Sequence, residues 1–345
     1  MADAMRLARV QRERAEEARR ALSSMDAVRR DREILEEGDS ILIPLRGESA
    51  TSLAMDLGFE VVEGHSPPRA HYLAPSQRIG DEIDIPSHLR SLLPRKWEKV
   101  GDVLIMKFPP QLGPFKEKVA DGYARVLGAR TVCDDVGGIS GVFREPHLMV
   151  VLGRGTETIH AENGVKYMLD VARLMFSSGN IDERIRMGRI DCRGETVVDM
   201  FAGIGYFTLP MAVHSRPRKI VAIEINPVAY GYLVENVRLN GVEEIVEPVL
   251  GDCAVAAPEG IADRAVMGYV GTTDQYLDAG IAALRKGGVL HYHQTVPERL
   301  YPKALEEDLA EAAKRAGRTI KIERCARVKK YSPGMLHAVL DARVD

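Results

Sequence analysis

The sequence predicts an α/β protein: a mainly parallel sheet with helices on both faces in the C-terminal half, preceded by smaller α+β domains. Three observations carry this. From about residue 161 onward, apolar strand-like runs (VVDMF, KIVAIEI, EPVLGD, RAVMGYV, GGVLHYH) alternate with helical stretches, the pattern of parallel strands joined by helical crossovers. Before that point, short strand signals and single helices are separated by Gly- and Pro-containing turns. The 345 residues, 45% hydrophobic and 28% charged, suit a globular protein large enough for two or three domains.

Taken in order, residues 1–68 read as a small α+β module. MADAMRLARVQRERAEEARRAL is too charged for a signal peptide and is expected to form an amphipathic helix with a solvated arginine face. ILIPLR, a second helical stretch and FEVVEG follow. The Pro- and Ser-rich GHSPPRAHYLAPSQ is the linker candidate. Residues 69–160 hold strand signals in VGDVLIMKF, ARTVCDD and LMVVLG, a helix in KEKVADGYARVLG and a turn at Gly137, Gly138 and Gly141. Residues 161–345 form the α/β domain. A run of about 18 apolar residues, enough to span a membrane, is absent. The four cysteines (Cys133, Cys192, Cys253, Cys325) are scattered, without CxxC or a Cys/His cluster. That argues for a reducing cytoplasm and against a metal site or a disulfide framework. A net charge of −3 speaks mildly against a dedicated nucleic-acid binder, although charge placement matters more than the total.

The cofactor site is expected around VVDMFAGIGYFTLPMA (197–212). Gly203 and Gly205 let the backbone turn sharply and approach a ligand. One αβ step later KIVAIEI ends at Glu224, placed to hold a ribose diol. The third glycine of a dinucleotide loop is replaced by Thr208, and Asp199 before the turn repels a pyrophosphate. An acid there suits a cationic, phosphate-free cofactor, of which S-adenosylmethionine is the common one. Asp252, at the next strand end, is placed to accept from an adenine amino group; it serves equally as a helix N-cap.

With these residues placed, the sequence resembles the archaeal and eukaryotic family of enzymes acting on guanosine 37 of tRNA. That family comprises the tRNA (guanine-37-N1)-methyltransferases and the wybutosine-pathway aminocarboxypropyltransferases. The resemblance runs from about residue 98 to the end. Its specific parts include GRGTETIHAENGVKYMLDVARLMFSSGNIDERIRM, AIEINPVAYGYLVENVRLN, DRAVMGY, GGVLHYHQTVPE and KKYSPGMLHAVLD. It implies a class I methyltransferase-type Rossmann domain, S-adenosylmethionine as cofactor, and tRNA-Phe as partner through position 37 of its anticodon loop. It implies no membrane or metal, a monomer, and cofactor contacts that include Phe176, Ser177, Asn180, Arg184, Ile225 and Cys253. Two departures point to the aminocarboxypropyltransferase branch. Gly268-Tyr269-Val270 stands where methyltransferases have Asn-Leu-Pro or Asn-Pro-Pro, and Phe176-Ser177-Ser178-Gly179-Asn180 stands in place of FSPR. The last residue of His291-Tyr292-His293, more often Tyr in methyltransferases, points the same way.

The chemistry implied is transfer of the 3-amino-3-carboxypropyl group to C7 of 4-demethylwyosine, with release of methylthioadenosine. Which sulfonium carbon reacts depends on which one lies in line with the base. Gly268 is expected to leave its strand end empty, letting the methionine chain face the base, or simply to permit a turn. Arg184 is expected to grip the transferred carboxylate in a bidentate fashion, with a helix-surface ion pair as the alternative; Lys166 is a weaker candidate for the same grip. Gly268, Tyr269, His291 and His293 are the catalytic candidates. The two histidines are expected on opposite faces of the sheet, so that at most one meets the base. The cationic tail Lys314, Arg315, Arg318, Lys321, Arg324, Arg327, Lys329 and Lys330, with Arg144 and Arg154, is a candidate phosphate-contacting surface. Tyr206 and Tyr331 are candidates for base stacking. Two other readings stay open: the N1-methyltransferase of the same family, and a catalytically silent RNA-binding homologue.

Overall fold

Alternation of buried and exposed residues decides the first element. Along MRLARVQ, Met5, Leu7, Ala8 and Val10 are buried while Arg6 and Gln11 are exposed. That is close to the two-residue period of a strand, not the 3.6 of a helix. In this computed structural model, which describes residues 4–69, 75–140 and 145–345, Met5–Gln11 is therefore β1. The helix expected across the whole N-terminal segment is confined to α1 (Ala15–Ser24). β2 (Leu35–Glu37), β3 (Ser40–Pro44), α2 (Gly47–Asp56) and β4 (Glu60–Gly64) complete a compact unit, Met1–Ala74. Its antiparallel sheet has the order β2-β3-β1-β4. Ala18 and Leu22 of α1 and Ala50 and Ala54 of α2 pack on Ala8, Val10 and Ile43.

The second unit, Pro75–Asp345, begins with α3 (Pro75–Glu82). β5 (Trp97–Val100), β6 (Val103–Met106), α4 (Lys116–Leu127), β7 (Thr131–Ser140) and β8 (Glu145–Leu152) follow. VGDVLIMKF is thus a hairpin and not one strand, because Gly101 turns at φ +55°. The next pair is the antiparallel hairpin β9 (Glu157–Glu162) and β10 (Val165–Asp170).

Then come α5 (Ile181–Arg189), β11 (Thr196–Asp199), α6 (Thr208–Pro210), β12 (Lys219–Glu224), α7 (Pro227–Leu239), β13 (Val246–Leu250), α8 (Cys253–Ala256) and β14 (Ala262–Met267). The chain ends with α9 (Leu277–Ala283), β15 (Leu284–Pro297), α10 (Lys303–Arg315), β16 (Ile320–Ser332) and β17 (Met335–Val344). Among the described residues the large sheet has the order β13-β12-β11-β14-β15-β17-β16. The first five strands are parallel, and β17 and β16 are antiparallel additions.

Each face of this sheet is covered. On one side Met187, Leu209, Leu233 and Val237 pack on Val197, Ile220 and Val266, in a core continuous through Tyr167 with Val100 and Cys133 of the smaller sheet. On the other, Leu277, Ile281, Leu305 and Leu309 pack on Val198, Leu290 and Leu340. The strand order reverses between β11 and β14, and a crevice outside the carboxyl ends of the strands at such a reversal is where open α/β sheets bind ligands. No helix among the described residues is long and apolar enough to cross a membrane.

Candidate functional site

β11 ends at Asp199 and the chain then turns through Gly203 (φ +58°) and Gly205 (φ +102°), backbone that disfavours any other residue. Space enforces both glycines: a Cβ on Gly203 would lie 2.6 Å from the Tyr206 ring, and one on Gly205 2.6 Å from Leu209 Cγ. Asp199, 1% exposed, accepts from the hydroxyl of Thr208 (2.7 Å) and the backbone N–H of Phe201 (3.3 Å). Thr208 therefore takes the third-glycine position to hold the loop. Burial pushes the Asp199 carboxyl up to about 6 against these hydrogen bonds, and the nearby Glu224 adds to the rise.

Glu224 closes the other side. Its Oε2 accepts from Gly203 N–H (2.7 Å) and its Oε1 from Asn226 N–H (2.7 Å). Burial raises its pKa although these bonds oppose it. Asn226 caps α7 by accepting from Val228 N–H (2.9 Å), with Pro227 in the first turn. Ile225 beside it is apolar and 50% exposed. Asp252 is the N-cap of α8, accepting from Ala254 N–H at 2.9 Å, so the capping alternative is observed. The Cys253 side chain is buried in the core, and burial pushes the thiol up to about 12. Phe201 stacks on Tyr269 (5.5 Å, 22°) and meets Tyr276 edge-on (5.2 Å, 88°). Of this aromatic wall only Tyr269 is a sequence candidate; nothing in the sequence pattern points to Tyr276.

The segment before the loop departs from expectation. Arg184, 2% exposed, donates from Nε and Nη2 to the two oxygens of Glu162, the second at 2.9 Å, and from Nη1 to the Ser177 carbonyl (2.9 Å). Its guanidinium lies 4.7 Å from the centroid of the Phe176 ring. Engaged on all sides, it is neither a carboxylate grip nor a surface ion pair. Phe176, 4% exposed, packs against Tyr167 and His160. Tyr206, expected to stack on a base, packs on Phe176 (5.7 Å) and donates its hydroxyl to the Met175 carbonyl. Ser177 Oγ accepts from Lys329 Nζ at 2.7 Å, which brings a cation expected on the RNA surface against the expected cofactor segment. Asn180 Oδ1 is buried without a hydrogen-bond partner among the described residues. Lys166 offers its backbone to Asn240.

The histidines are also corrected. Residues two apart on a strand share a face, and both side chains point toward α5. His291 donates from Nδ1 to Asp341 (2.6 Å) and accepts from Arg264 at Nε2 (2.7 Å); because arginine only donates, this imidazole is neutral. His293 is wholly buried, and burial lowers its pKa to about 3. Both rings are enclosed in the protein interior. Tyr292 between them points the other way, to Asp308 of α10 (3.1 Å).

Nor is the strand end at Gly268 empty: a Cβ there would lie 2.7 Å from the Phe207 ring.

The cationic tail divides. Arg318 is spent on the carbonyls of Ile281, Leu284, Arg285 and Val344, and Arg315 on Asp278. Arg324 faces Asp341 at 3.5 Å. Lys321, Arg327 and Lys330 are exposed on β16, as is Tyr331, and Arg154 is exposed in the turn after β8. Arg144 lies outside the described residues.

Comparison with known proteins places these features among relatives. Residues 158–322 match the TRM5/TYW2 methyltransferase domain, 81–156 the TYW2 N-terminal domain and 9–52 the tRNA methyltransferase 5 N-terminal domain. The chain is 42% identical over 261 residues to the tRNA(Phe) (4-demethylwyosine(37)-C(7)) aminocarboxypropyltransferase of Pyrococcus horikoshii, covering 76% of this chain and 93% of that one. The P. horikoshii TYW2 structure in complex with MeSAdo superposes with a TM-score of 0.71 at 39% identity, over 78% of this chain and 98% of that one. Trm5b of Pyrococcus abyssi, named a tRNA (guanine(37)-N(1))-methyltransferase, is 31% identical over 94% of this chain and 95% of its own. Its structure superposes with a TM-score of 0.70 over 99% of each chain.

The Arg184–Glu162 pair gives a direct test of the corrected role. Arg184→Ala strands a buried carboxylate and is expected to cost about 3–5 kcal/mol of folding stability, read as a lower urea midpoint. A variant with unchanged stability and weakened ligand binding would restore the grip.

Proposed function

The chain belongs to the TRM5/TYW2 family of tRNA-modifying enzymes, and from that premise we propose its reaction: transfer of the 3-amino-3-carboxypropyl group of S-adenosylmethionine to C7 of 4-demethylwyosine at position 37 of tRNA-Phe. The reading is carried by the 42% identity with an enzyme named for that reaction, across 93% of its length. S-adenosylmethionine supplies a sulfonium whose γ-carbon accepts the C7 nucleophile; the carbon–sulfur bond breaks toward sulfur, methylthioadenosine leaves, and C7 gives up its proton afterwards.

The residues present fit that cofactor. Each oxygen of Glu224 spends one lone pair on a backbone N–H and keeps one for a ribose hydroxyl. Ile225 offers an apolar face to adenine, and the second oxygen of Asp252 accepts from its amino group. Asp199 places a buried negative charge beside the loop, which favours a cation and disfavours a pyrophosphate. Lys321, Arg327, Lys330 and Arg154 contact tRNA phosphates, and residues 69–160 help engage the tRNA. The enzyme acts as a monomer in the cytoplasm.

A second reading is favoured by one observation. The match of residues 9–52 to the tRNA methyltransferase 5 N-terminal domain fits the N1-methyltransferase.

Three outcomes are expected. Incubated with S-adenosylmethionine and tRNA-Phe carrying 4-demethylwyosine, the enzyme yields methylthioadenosine by mass spectrometry. S-adenosylhomocysteine, with guanosine 37 the better substrate, would establish the methyltransferase instead.

Cofactor affinity depends on pH with a definite sign. The free site takes a proton at Asp199 with a pKa of about 6, and that proton competes with the sulfonium. Affinity measured by calorimetry should therefore weaken as pH falls below this value, by up to about tenfold per unit. Asp199→Asn should remove that dependence; a slope unchanged in the variant rules out Asp199 as its source.

Neutral replacement of Arg327 and Lys330 should weaken tRNA binding and reduce the slope of log affinity against log salt by about 1 for each phosphate no longer neutralised. An unchanged slope makes β16 an ordinary surface.

A further inference from the structure

A column of side chains runs from the carboxyl ends of the parallel strands to the amino end of the antiparallel β17, and the cofactor contacts above make no use of it. Gly268 follows β14. Phe207 follows the glycine loop after β11. His293 lies on β15 and His337 on β17, next to each other in the sheet because Thr295 pairs with His337 and His293 with Val339. Met267 pairs with Tyr292, which sets His293 beside Gly268. The column therefore lies at the crevice where the strand order reverses.

Its members are in contact. Phe207 is 5% exposed, and Cδ2 and Cε2 of its ring lie 2.7 Å from where a Cβ on Gly268 would stand. The ring also packs on the imidazole of His293, stacked at 5.1 Å and 24°. His293 is held in turn. Its Nδ1 hydrogen-bonds His337 Nε2 at 3.1 Å; its Nε2, 3.5 Å from Glu183 Oε1 of α5, makes no hydrogen bond among the described residues. The ring cannot retreat without breaking a buried contact between two histidines, and it cannot advance without leaving the slot at Gly268. Gly268 and His293 are two of the positions on which the resemblance to the aminocarboxypropyltransferase branch rests, and the Phe207 ring touches both.

We infer that Phe207, seated on His293 and filling the slot at Gly268, is a positioning residue: it selects which sulfonium carbon faces the base. The ring is the apolar floor of the crevice at the strand end. It keeps a hydrogen-bonding side chain away from the base edge. It also fixes the volume against which the methionine arm lies, and that volume decides which carbon sits in line with the C7 nucleophile. Attack on the γ-carbon forms the C7–Cγ bond and releases methylthioadenosine. Attack on the methyl forms a C7–CH3 bond and releases S-adenosylhomocysteine. In both cases the electron pair of the broken bond stays on sulfur and C7 loses its proton to water. This inference rests on the aminocarboxypropyl-transfer reading above.

The test is the product partition of Phe207→Leu, measured on the full chain with S-adenosylmethionine and tRNA-Phe carrying 4-demethylwyosine. Cofactor affinity and the urea midpoint are recorded alongside. Methylthioadenosine formation at saturating cofactor is expected to fall by up to about 100-fold. The share of S-adenosylhomocysteine should rise above that of the wild type, a change that loss of packing alone does not produce. A partition equal to the wild type, whatever the rate, overturns the inference. Phe207→Met, which keeps most of the volume but not the flat ring, is the second variant and carries the same two outcomes if the leucine variant does not fold. A wild-type enzyme that itself yields S-adenosylhomocysteine is a different failure: that of the parent reading.

Discussion

The carboxylate of Glu224 is the contact on which the site depends. One side chain takes the N–H of Gly203 from the loop after β11 and the N–H of Asn226 from the loop after β12. It thus ties two strand ends into one rim. Asp199 closes the glycine loop on itself, accepting from Phe201 at its start and from Thr208 at its end. Asp199 is buried and Glu224 half-buried; both are pushed up in pKa, each chiefly by desolvation, and the charge of Glu224 raises Asp199 further. Two ionised acids bracketing one glycine turn are costly by themselves. A cation set beside them relieves both, so the electrostatics of the rim are themselves a preference for a positively charged ligand.

A second buried polar layer fixes α5 to the sheet and thereby sets the approach to that rim. Asp341 accepts from His291, from Arg186 of α5 at 2.9 Å and from Arg324 at 3.5 Å. His291 and Arg186 hold its carboxyl well below the usual range, although burial opposes them. Arg264 passes from His291 to Glu195 through a bidentate pair at 2.8 and 3.0 Å. Such networks add little net stability over apolar packing, but removing one member leaves a buried charge. Because α5 cannot slide, the preceding Ser177–Asn180 turn stays beside Lys329 and the glycine loop.

How much of this was legible in the sequence follows from the kind of signal each residue carries. The turn at Gly203 and Gly205 was legible because its positive φ demands glycine, and Asp199 and Glu224 were legible as strand-end acids that the fold brings to that turn. The parallel sheet was legible because strands buried on both faces are continuous apolar runs. MRLARVQ misled because its arginines, and those that follow, resemble a solvated helical face, while the strand period sits in Met5 and Leu7 on one face and Ala8 and Val10 on the other. Arg184 misled because a bidentate partner can be a ligand carboxylate or Glu162, and only the fold brings Glu162 from β9 into reach. The histidines were misplaced by a slip of parity: residues two apart share a face. Gly268 suggested a vacancy because a sequence shows a missing side chain but not the neighbour that fills its space.

The same blindness to neighbours bears on how two chemistries share one scaffold. The P. horikoshii and P. abyssi structures superpose on this chain about equally well, so backbone shape does not separate aminocarboxypropyl transfer from methylation. Nor does the cofactor rim, because ribose, adenine and sulfonium are common to both reactions. What is left is the short stretch where the sulfonium's substituents meet the base. There this chain places a glycine at 268, a phenyl ring in the glycine's space and a histidine pair behind the ring. None of these groups moves a proton or carries a charge to the base. If Phe207 positions the sulfonium as inferred, their contribution is shape, and at near-attack distance a displacement of about 1 Å costs about 100-fold in rate. A difference of that size can be encoded in three buried positions while the rest of the fold stays constant.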